Sequence, residues 1–411
     1  VKILFVCHYF APEPGAPQAR LLETGRALVR AGHRVTALTG FPNHPTGRLD
    51  PGDRGRLFRR DRLDGVDVLR SWLYATPNRG LGRRTLGHLS FMATAVLLGG
   101  ARARRPDVVV ASSPTFFSAV SGWLLAARWR VPFVFEVRDL WPAIFTELKV
   151  LKGRGLIRAL ESVELFLYRR AARVVTVTEG FRRDIVGRGI AAAKVVTITN
   201  GVDTSRFRPG GDADEAKTIL GLGGRFVVLY LGAHGVSHAL ERVLTVAGRW
   251  ADDPATLFVF VGDGSKKGAL VARAKEAGLG NVRFVGAVPK EAVCSFYRAA
   301  DVALVPLKDV PLFSTFIPSK MFELLASGVP VVASLRGEAA EILDRSGGAI
   351  VVPPEDVDAI DGALRLLRRN PVGRLRMGER GAEFARREYD RKDLALRYAE
   401  VLADAVREAR R

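Results

Sequence analysis

Three runs in this 411-residue chain gather side chains that could do chemistry. The richest is Ile317-Pro318-Ser319-Lys320-Met321-Phe322-Glu323-Leu324-Leu325-Ala326-Ser327-Gly328. Pro318 suits the first turn of a helix and Gly328 its end. Ser319 and Lys320 then stand at the positive end, where a dipole and a point charge together make a phosphate site. Glu323, about one turn further in, could accept two hydroxyl hydrogen bonds, as a ribose diol requires. A solvated Lys–Glu pair at i, i+3 is the plainer alternative. The second run, Glu136-Val137-Arg138-Asp139-Leu140-Trp141-Pro142, puts three charges directly after an apolar strand. That is costly unless they are solvated or paired, so it reads as a site or as a buried Arg–Asp pair. In the third, the loop from His8 to Gly15 precedes a helix opening at Ala16-Pro17, and a glycine there lets backbone N–H groups approach an anion. A plain strand-to-helix loop is the alternative.

Weaker strings exclude more than they suggest. Asp212-Ala213-Asp214 and Asp356-Val357-Asp358 sit at helix starts or loops, so no metal site is expected from them. No G-x-x-x-x-G-K-[ST] occurs, which removes the NTPase reading. Gly262-Asp263-Gly264 alone does not specify a dinucleotide site.

The elements that must position these residues alternate between strand and helix. Short apolar runs (KILFVC, HRVTALT, DVVVAS, VPFVFEV, RVVTVT, KVVTIT) are separated by amphipathic stretches, and a second series (RFVVLYLG, ATLFVFVG, NVRFVG, DVALVP, VPVVAS, GAIVVPP) begins after about residue 210. Runs apolar on both faces suit parallel strands covered by helices. The expectation is an α/β protein of two doubly wound Rossmann-like domains facing a central cleft, with ligands at the carboxyl ends of the strands. The domains are expected at 1–203 and 204–388, with residues 389–411 a C-terminal helix packing on either.

Composition sets the outer limits. With 48% apolar and 26% charged residues the chain is globular rather than disordered or fibrous. Two distant cysteines, Cys7 and Cys294, exclude a disulfide scaffold and a Cys-based zinc site, and fit a reducing cytosol. The opening VKILFVCHYF is too short for a secretory signal and reads as a strand. Residues 108–127 are uncharged, but Ser112-Ser113-Pro114-Thr115 divides them into a strand, a turn and a helix rather than a membrane span. The net charge is +20, and residues 1–200, with 32 basic and 15 acidic side chains, carry +17 of it. Coding bias toward arginine (51 Arg against 12 Lys) does not explain that asymmetry. A basic half attracts polyanions. Charge is the only feature favouring nucleic acid; no zinc spacing, RNP-type motif or basic heptad helix accompanies it.

The landmarks HYFAPEPGAPQAR, GFPNHPTGR, FEVRDLWP, TNGVDTSRFRP, YLGAHGVSHALE, FVGDG and PSKMFELLASGVPVVAS, in this order, make the chain recognisable. It resembles the family-4 retaining glycosyltransferases of the GT-B fold, in the O-antigen and capsule branch with N-acetylfucosamine-transferase-like members. The resemblance implies sugar transfer from a nucleoside diphosphate donor of UDP or GDP type with retention of configuration. The N-terminal domain would hold the acceptor and the C-terminal domain the nucleotide. Position by position, Glu323 matches the second Glu of the family's E-x7-E motif, the ribose contact. Gly15 matches the glycine facing the donor diphosphate, and Arg138 falls where many members have a His beside the reacting sugar.

The departures are informative. The first Glu of E-x7-E, a donor-sugar contact, is Thr315 here, and the Arg and Lys that usually grip the diphosphate align with Ala233 and His238. The expectation is that Lys320 replaces part of that charge. Backbone N–H groups of residues 232–235, Gly232 among them, and the helix start at Pro318 and Ser319 would add to it, with His234 or His238 assisting. Arg138, Asp139 and Lys320 are the expected catalytic residues, with no metal and no cofactor. The basic first half leads to a polyprenyl-diphosphate-linked acceptor at an anionic membrane surface. Arg79, Arg83, Arg84, Arg102, Arg104 and Arg105 flank the apolar residues 86–101 as an interfacial anchor would, a buried Rossmann-type helix with solvated ends being the alternative. The protein would then be cytoplasmic and peripheral on the inner face of the membrane. A sugar-nucleotide 2-epimerase on the same frame, and a soluble secondary-metabolite acceptor, are the alternatives.

Overall fold

A computed structural model describes residues 1–13, 15–44, 46–77, 81–113, 116–142 and 153–411. The chain forms two compact units, Val1–Thr199 with Arg391–Arg411, and Asn200–Asp390. The division falls at 199/200 and 390/391, beside the expected 203/204 and 388/389, and the C-terminal helix belongs to the first unit.

Unit 1 is built on eight strands: β1 (Lys2–Val6), β2 (Arg34–Gly40), β3 (Phe58–Leu63), β4 (Val66–Ser71), β5 (Val108–Ser112), β6 (Phe133–Val137), β7 (Arg173–Thr176) and β8 (Val195–Thr197). Their order is β3-β4-β2-β1-β5-β6-β7-β8. All neighbours run parallel except β3 and β4, which form a hairpin. The apolar-run reading omits this hairpin because β3 (FRRDRL) is an edge strand whose arginines pair with acids rather than enter a core. Its signal was Asp64-Gly65, both at positive φ as a tight hairpin turn requires.

One face of the sheet, through Ile3, Phe5, Val108, Val110 and Val134, packs on Leu21 and Leu28 of the helix Ala16–Arg30 and on Leu394, Tyr398 and Leu402 of the helix Arg391–Ala409. Each fully buried Leu is worth about 1.5–3 kcal/mol. An Arg391–Glu23 ion pair ties the same two helices. The uncharged residues 108–127 divide into β5 and the helix Phe116–Trp129. Among the described residues no helix is long and apolar enough to cross a membrane.

Unit 2 has six parallel strands: β9 (Phe226–Leu231), β10 (Thr256–Val261), β11 (Val282–Val285), β12 (Val302–Pro306), β13 (Val331–Ser334) and β14 (Ala349–Val352). Their order is β11-β10-β9-β12-β13-β14. In each sheet the direction of strand addition reverses once, beside β1 in unit 1 and beside β9 in unit 2. Ligands in open α/β sheets collect at the carboxyl ends next to such reversals. The loops to inspect are therefore those after β1, β5 and β6, and those after β9 and β12.

Candidate active site

The last inward position of β9 carries Tyr230, and the chain turns away at Gly232 with φ +148°. A Cβ at Gly232 would stand 2.6 Å from Lys320 Nζ, so only glycine leaves the ammonium its place. Lys320 opens the helix Lys320–Ala326 and lays its Nζ 4.0 Å from the centroid of the Tyr230 ring. Among the described residues this buried Nζ has no hydrogen-bond partner. Burial pulls its pKa down to about 7, with Glu323 opposing. A cation–π contact offsets only part of what an ammonium loses on leaving water. The arrangement can take an anion, which would both pair with the charge and restore it.

The two expected histidines belong to this cluster. His234 and His238 have ring centroids 5.8 and 6.1 Å from that of Tyr230. Burial lowers His234 to about 4, with Lys267 and Lys320 adding to it and Asp263 opposing. Burial and Lys320 lower His238 to about 3, although its ring bonds to the Pro306 backbone. Both are neutral at pH 7; His234 can offer an N–H, whereas the single N–H of neutral His238 is already given to the Pro306 carbonyl, which corrects its expected assisting role. Glu323 is held by the Tyr297 hydroxyl, which donates to Oε2 at 3.1 Å. Burial raises the Glu323 carboxyl, and the Tyr297 bond, Lys290 and Arg206 restrain that rise. Thr315 ends the short turn Pro311–Thr315 and donates its hydroxyl to the Leu312 carbonyl at 2.8 Å.

The expected backbone contribution needs correction. The Gly232 and His234 amides already donate to Val261 O (2.9 Å) and Asp263 O (2.8 Å). At the helix start, the Met321 and Phe322 amides donate to Pro318 O and Ser319 O. Ser319 adopts helical angles and its side chain makes no cap bond. These four amides are engaged in shaping the loops and are not available to an anion. The D-x-D strings are caps: Asp212 Oδ1 accepts from the Asp214 and Glu215 amides, and Asp356 Oδ1 from the Ala359 amide.

In unit 1, Gly15 is the N-cap of Ala16–Arg30 at φ +149°, where a Cβ would collide with the Gln18 carboxamide. After β6, Ser113 Oγ accepts from the Arg138 amide (2.7 Å) and the Asp139 amide (3.4 Å), fixing the direction of that loop. Arg138 Nε and NH1 are buried without hydrogen-bond partners among the described residues. Burial lowers the Arg138 pKa and Glu136 opposes. Burial pushes Asp139 up to about 6, with Arg138 opposing. Glu136 Oε1 accepts from Arg20 Nε at 3.1 Å. Burial raises the Glu136 carboxyl, but Arg20 and Arg138 outweigh it and hold it below the usual range. The charged run after β6 is therefore anchored by an Arg20–Glu136 ion pair, with the Arg138 guanidinium acting on Glu136 and Asp139 through its charge.

Reading by local pattern missed three groups. Tyr230 and Tyr297 are the platform for Lys320 and the clamp on Glu323, and look in sequence like ordinary core aromatics. The third is an imidazole pocket at the carboxyl ends of β1, β2 and β4, lined by His8, Tyr9, His44, Tyr74, Arg84 and His88. His8 and His88 bring their Nδ1 atoms to 3.4 Å. Burial and the paired His88 keep His8 neutral, while burial and Arg84 lower His88 to about 4. Glu13 carries the pocket's frame: its carboxylate accepts from the amides of Phe10, Asn43 and His44.

Two doubly wound units, with an anion-ready ammonium at the switch point of the second, define a GT-B glycosyltransferase, and the comparisons agree. The chain matches the description "Glycosyl transferase 4-like domain" over residues 15–201 and "Glycosyl transferases group 1" over residues 220–370. It is 32% identical over 366 residues to the D-inositol 3-phosphate glycosyltransferase of Geodermatophilus obscurus, covering 85% of this chain and 76% of that one. The chain belongs to glycosyltransferase family 4. It is also 26% identical, over 97% of this chain and 98% of the relative, to WcaI of Escherichia coli (strain K12), a protein assigned to colanic acid biosynthesis as a glycosyl transferase. Among solved structures, the sucrose-phosphate synthase of Thermosynechococcus elongatus superposes with a TM-score of 0.75 at 19% identity, covering 98% of each chain. HepE of Anabaena in complex with UDP-glucose gives 0.73 at 18% identity, covering 98% of this chain and 99% of that one.

Proposed function

We propose that this glycosyltransferase moves a hexosyl or N-acetylhexosaminyl group from a nucleoside diphosphate donor, of UDP or GDP type, to an acceptor hydroxyl with retention of configuration. The observation that carries this reading is the buried, unpartnered ammonium of Lys320 over Tyr230. A leaving diphosphate develops negative charge as the bond from the anomeric carbon breaks, and a charge already in place stabilises it without reorganisation. The acceptor oxygen bonds to that carbon from the same face and its proton passes to the departing phosphate. Glu323 takes the ribose hydroxyls, and His234 supplies a neutral donor. Thr315 replaces a sugar-contacting Glu and selects the donor sugar. Arg138 and Asp139 of unit 1 are assigned to the reacting sugar and Gly15 to the donor diphosphate on the family resemblance of their positions. With Lys320 as the cation the reaction takes neither metal nor cofactor.

The acceptor is a lipid-linked saccharide in cell-surface polysaccharide or glycoconjugate assembly, in the N-acetylfucosamine-transferase-like branch. The colanic acid assignment of WcaI supports this placement. A thermal-shift screen of UDP, GDP and their sugars tests the donor half. The matching nucleotide should stabilise the fold by about 2.7 kcal/mol at a hundredfold excess over Kd, and Lys320→Ala should lose most of that shift. If no nucleoside diphosphate shifts the parent protein, the reading fails.

A further inference from the structure

We infer that the outer face of the helix Leu81–Thr94 and its continuation to Arg102 is a docking surface for an anionic lipid bilayer. It rests on the lipid-linked acceptor only for its purpose; its chemistry stands on the helix itself. Gly87, Phe91, Ala95 and Gly99 are buried and seat the helix on the sheet. The opposite side carries Leu86, Leu89 and Leu97, which are 52%, 38% and 67% exposed, with exposed Ala93 between them. The spacing of 3, 4 and 4 puts these four on a single stripe. Scattered exposed leucines are ordinary, but an apolar stripe with basic ends is the composition of an interfacial helix.

The charge around the stripe is one-sided. Between Asp67 and Glu136 the sequence has nine arginines and a single acid, Asp107. That acid is occupied, accepting from the Lys2 amide at 2.7 Å. Arg83 and Arg84 are exposed at the start of the stripe, and Arg102, Arg104 and Arg105 beyond its end. Arg79 lies outside the described residues. Arg60 of the edge strand β3 donates to the Arg102 carbonyl at 2.6 Å, bringing one more cation alongside. A protein partner of mixed charge would find no acid to pair with here. A surface of phosphate headgroups over acyl chains matches both halves, and it would hold unit 1 where a bilayer-bound acceptor is reached.

Flotation of the full-length chain with phosphatidylcholine vesicles containing about 30% phosphatidylglycerol tests this. The expected result is binding at about 50 mM salt that falls steeply by about 500 mM, where screening shortens to a few ångströms. Leu86→Gln/Leu89→Gln/Leu97→Gln should weaken partitioning about tenfold or more, and Arg83→Gln/Arg104→Gln/Arg105→Gln should remove most of the salt dependence. All six side chains are exposed, so the UDP-induced thermal shift should be unchanged in both variants. No flotation at low salt, equal flotation on pure phosphatidylcholine, or full binding by the leucine variant would overturn the surface. Failure of both UDP and GDP to stabilise the parent would sink the donor assignment and leave the docking result standing.

Discussion

Lys320 in unit 2 and Arg138 in unit 1 are both buried cations with nitrogens that no described residue satisfies, yet they behave oppositely. Arg138 sits beside the Glu136 carboxylate, and its guanidinium keeps its proton at any working pH. Lys320 has an aromatic face and a Glu323 already clamped by Tyr297, so its pKa falls to about 7. One is a permanent charge balanced within the fold. The other becomes fully charged only when an anion arrives. Burial alone therefore does not identify a substrate-binding cation; burial without a compensating carboxylate does.

The largest effect that would test this contrast is on turnover. Lys320→Ala should lower kcat by about 10²-fold or more if the ammonium is worth ~3 kcal/mol at the leaving phosphate. Arg138→Gln should cost about tenfold and leave donor KM nearly unchanged, because its charge is already offset. Steady-state kinetics showing the two losses reversed would break the comparison.

Next comes pH. The free-state pKa of Lys320 is depressed and a bound diphosphate raises it, so binding takes up a proton. Affinity for UDP should hold below about pH 7 and fall by up to tenfold per unit above it. Calorimetry in buffers of differing ionisation enthalpy would report the proton, and Lys320→Ala should flatten the profile. A pH-independent Kd in the parent would mean that the ammonium is charged before binding.

The smallest effect sharpens the donor end. Glu323→Gln should raise donor KM with little change in kcat, and Tyr297→Phe should raise it about threefold, the worth of one hydrogen bond of ~0.5–1.5 kcal/mol. An unchanged KM in Glu323→Gln would remove it from ribose recognition.

How much of this was legible beforehand follows from how local each signal is. The parallel strands were readable because Val-rich runs such as DVVVAS and VPVVAS must be buried on both faces. Lys320 and Glu323 were readable because proline and glycine bracket their helix. The β3–β4 hairpin was not, since an edge strand lacks the apolar run, and Asp64-Gly65 was the only mark it left. Tyr230 could not be found by spacing, because it meets Lys320 across 90 positions of chain. His8 and His88 likewise meet only through the sheet. Gly232 itself does not join the expected amide cradle, for another reason: glycine there signals tight backbone packing as readily as an open anion nest, and here the Gly232 amide bonds to β10.

Glu13 reaches further than its own loop. One carboxylate receives N–H groups from two landmark segments 30 residues apart, so HYFAPEPG and GFPNHP are fastened at a single rivet. Any change that loosens it would release both walls of the imidazole pocket together. Variation in either segment is consequently constrained by one buried carboxylate that both share.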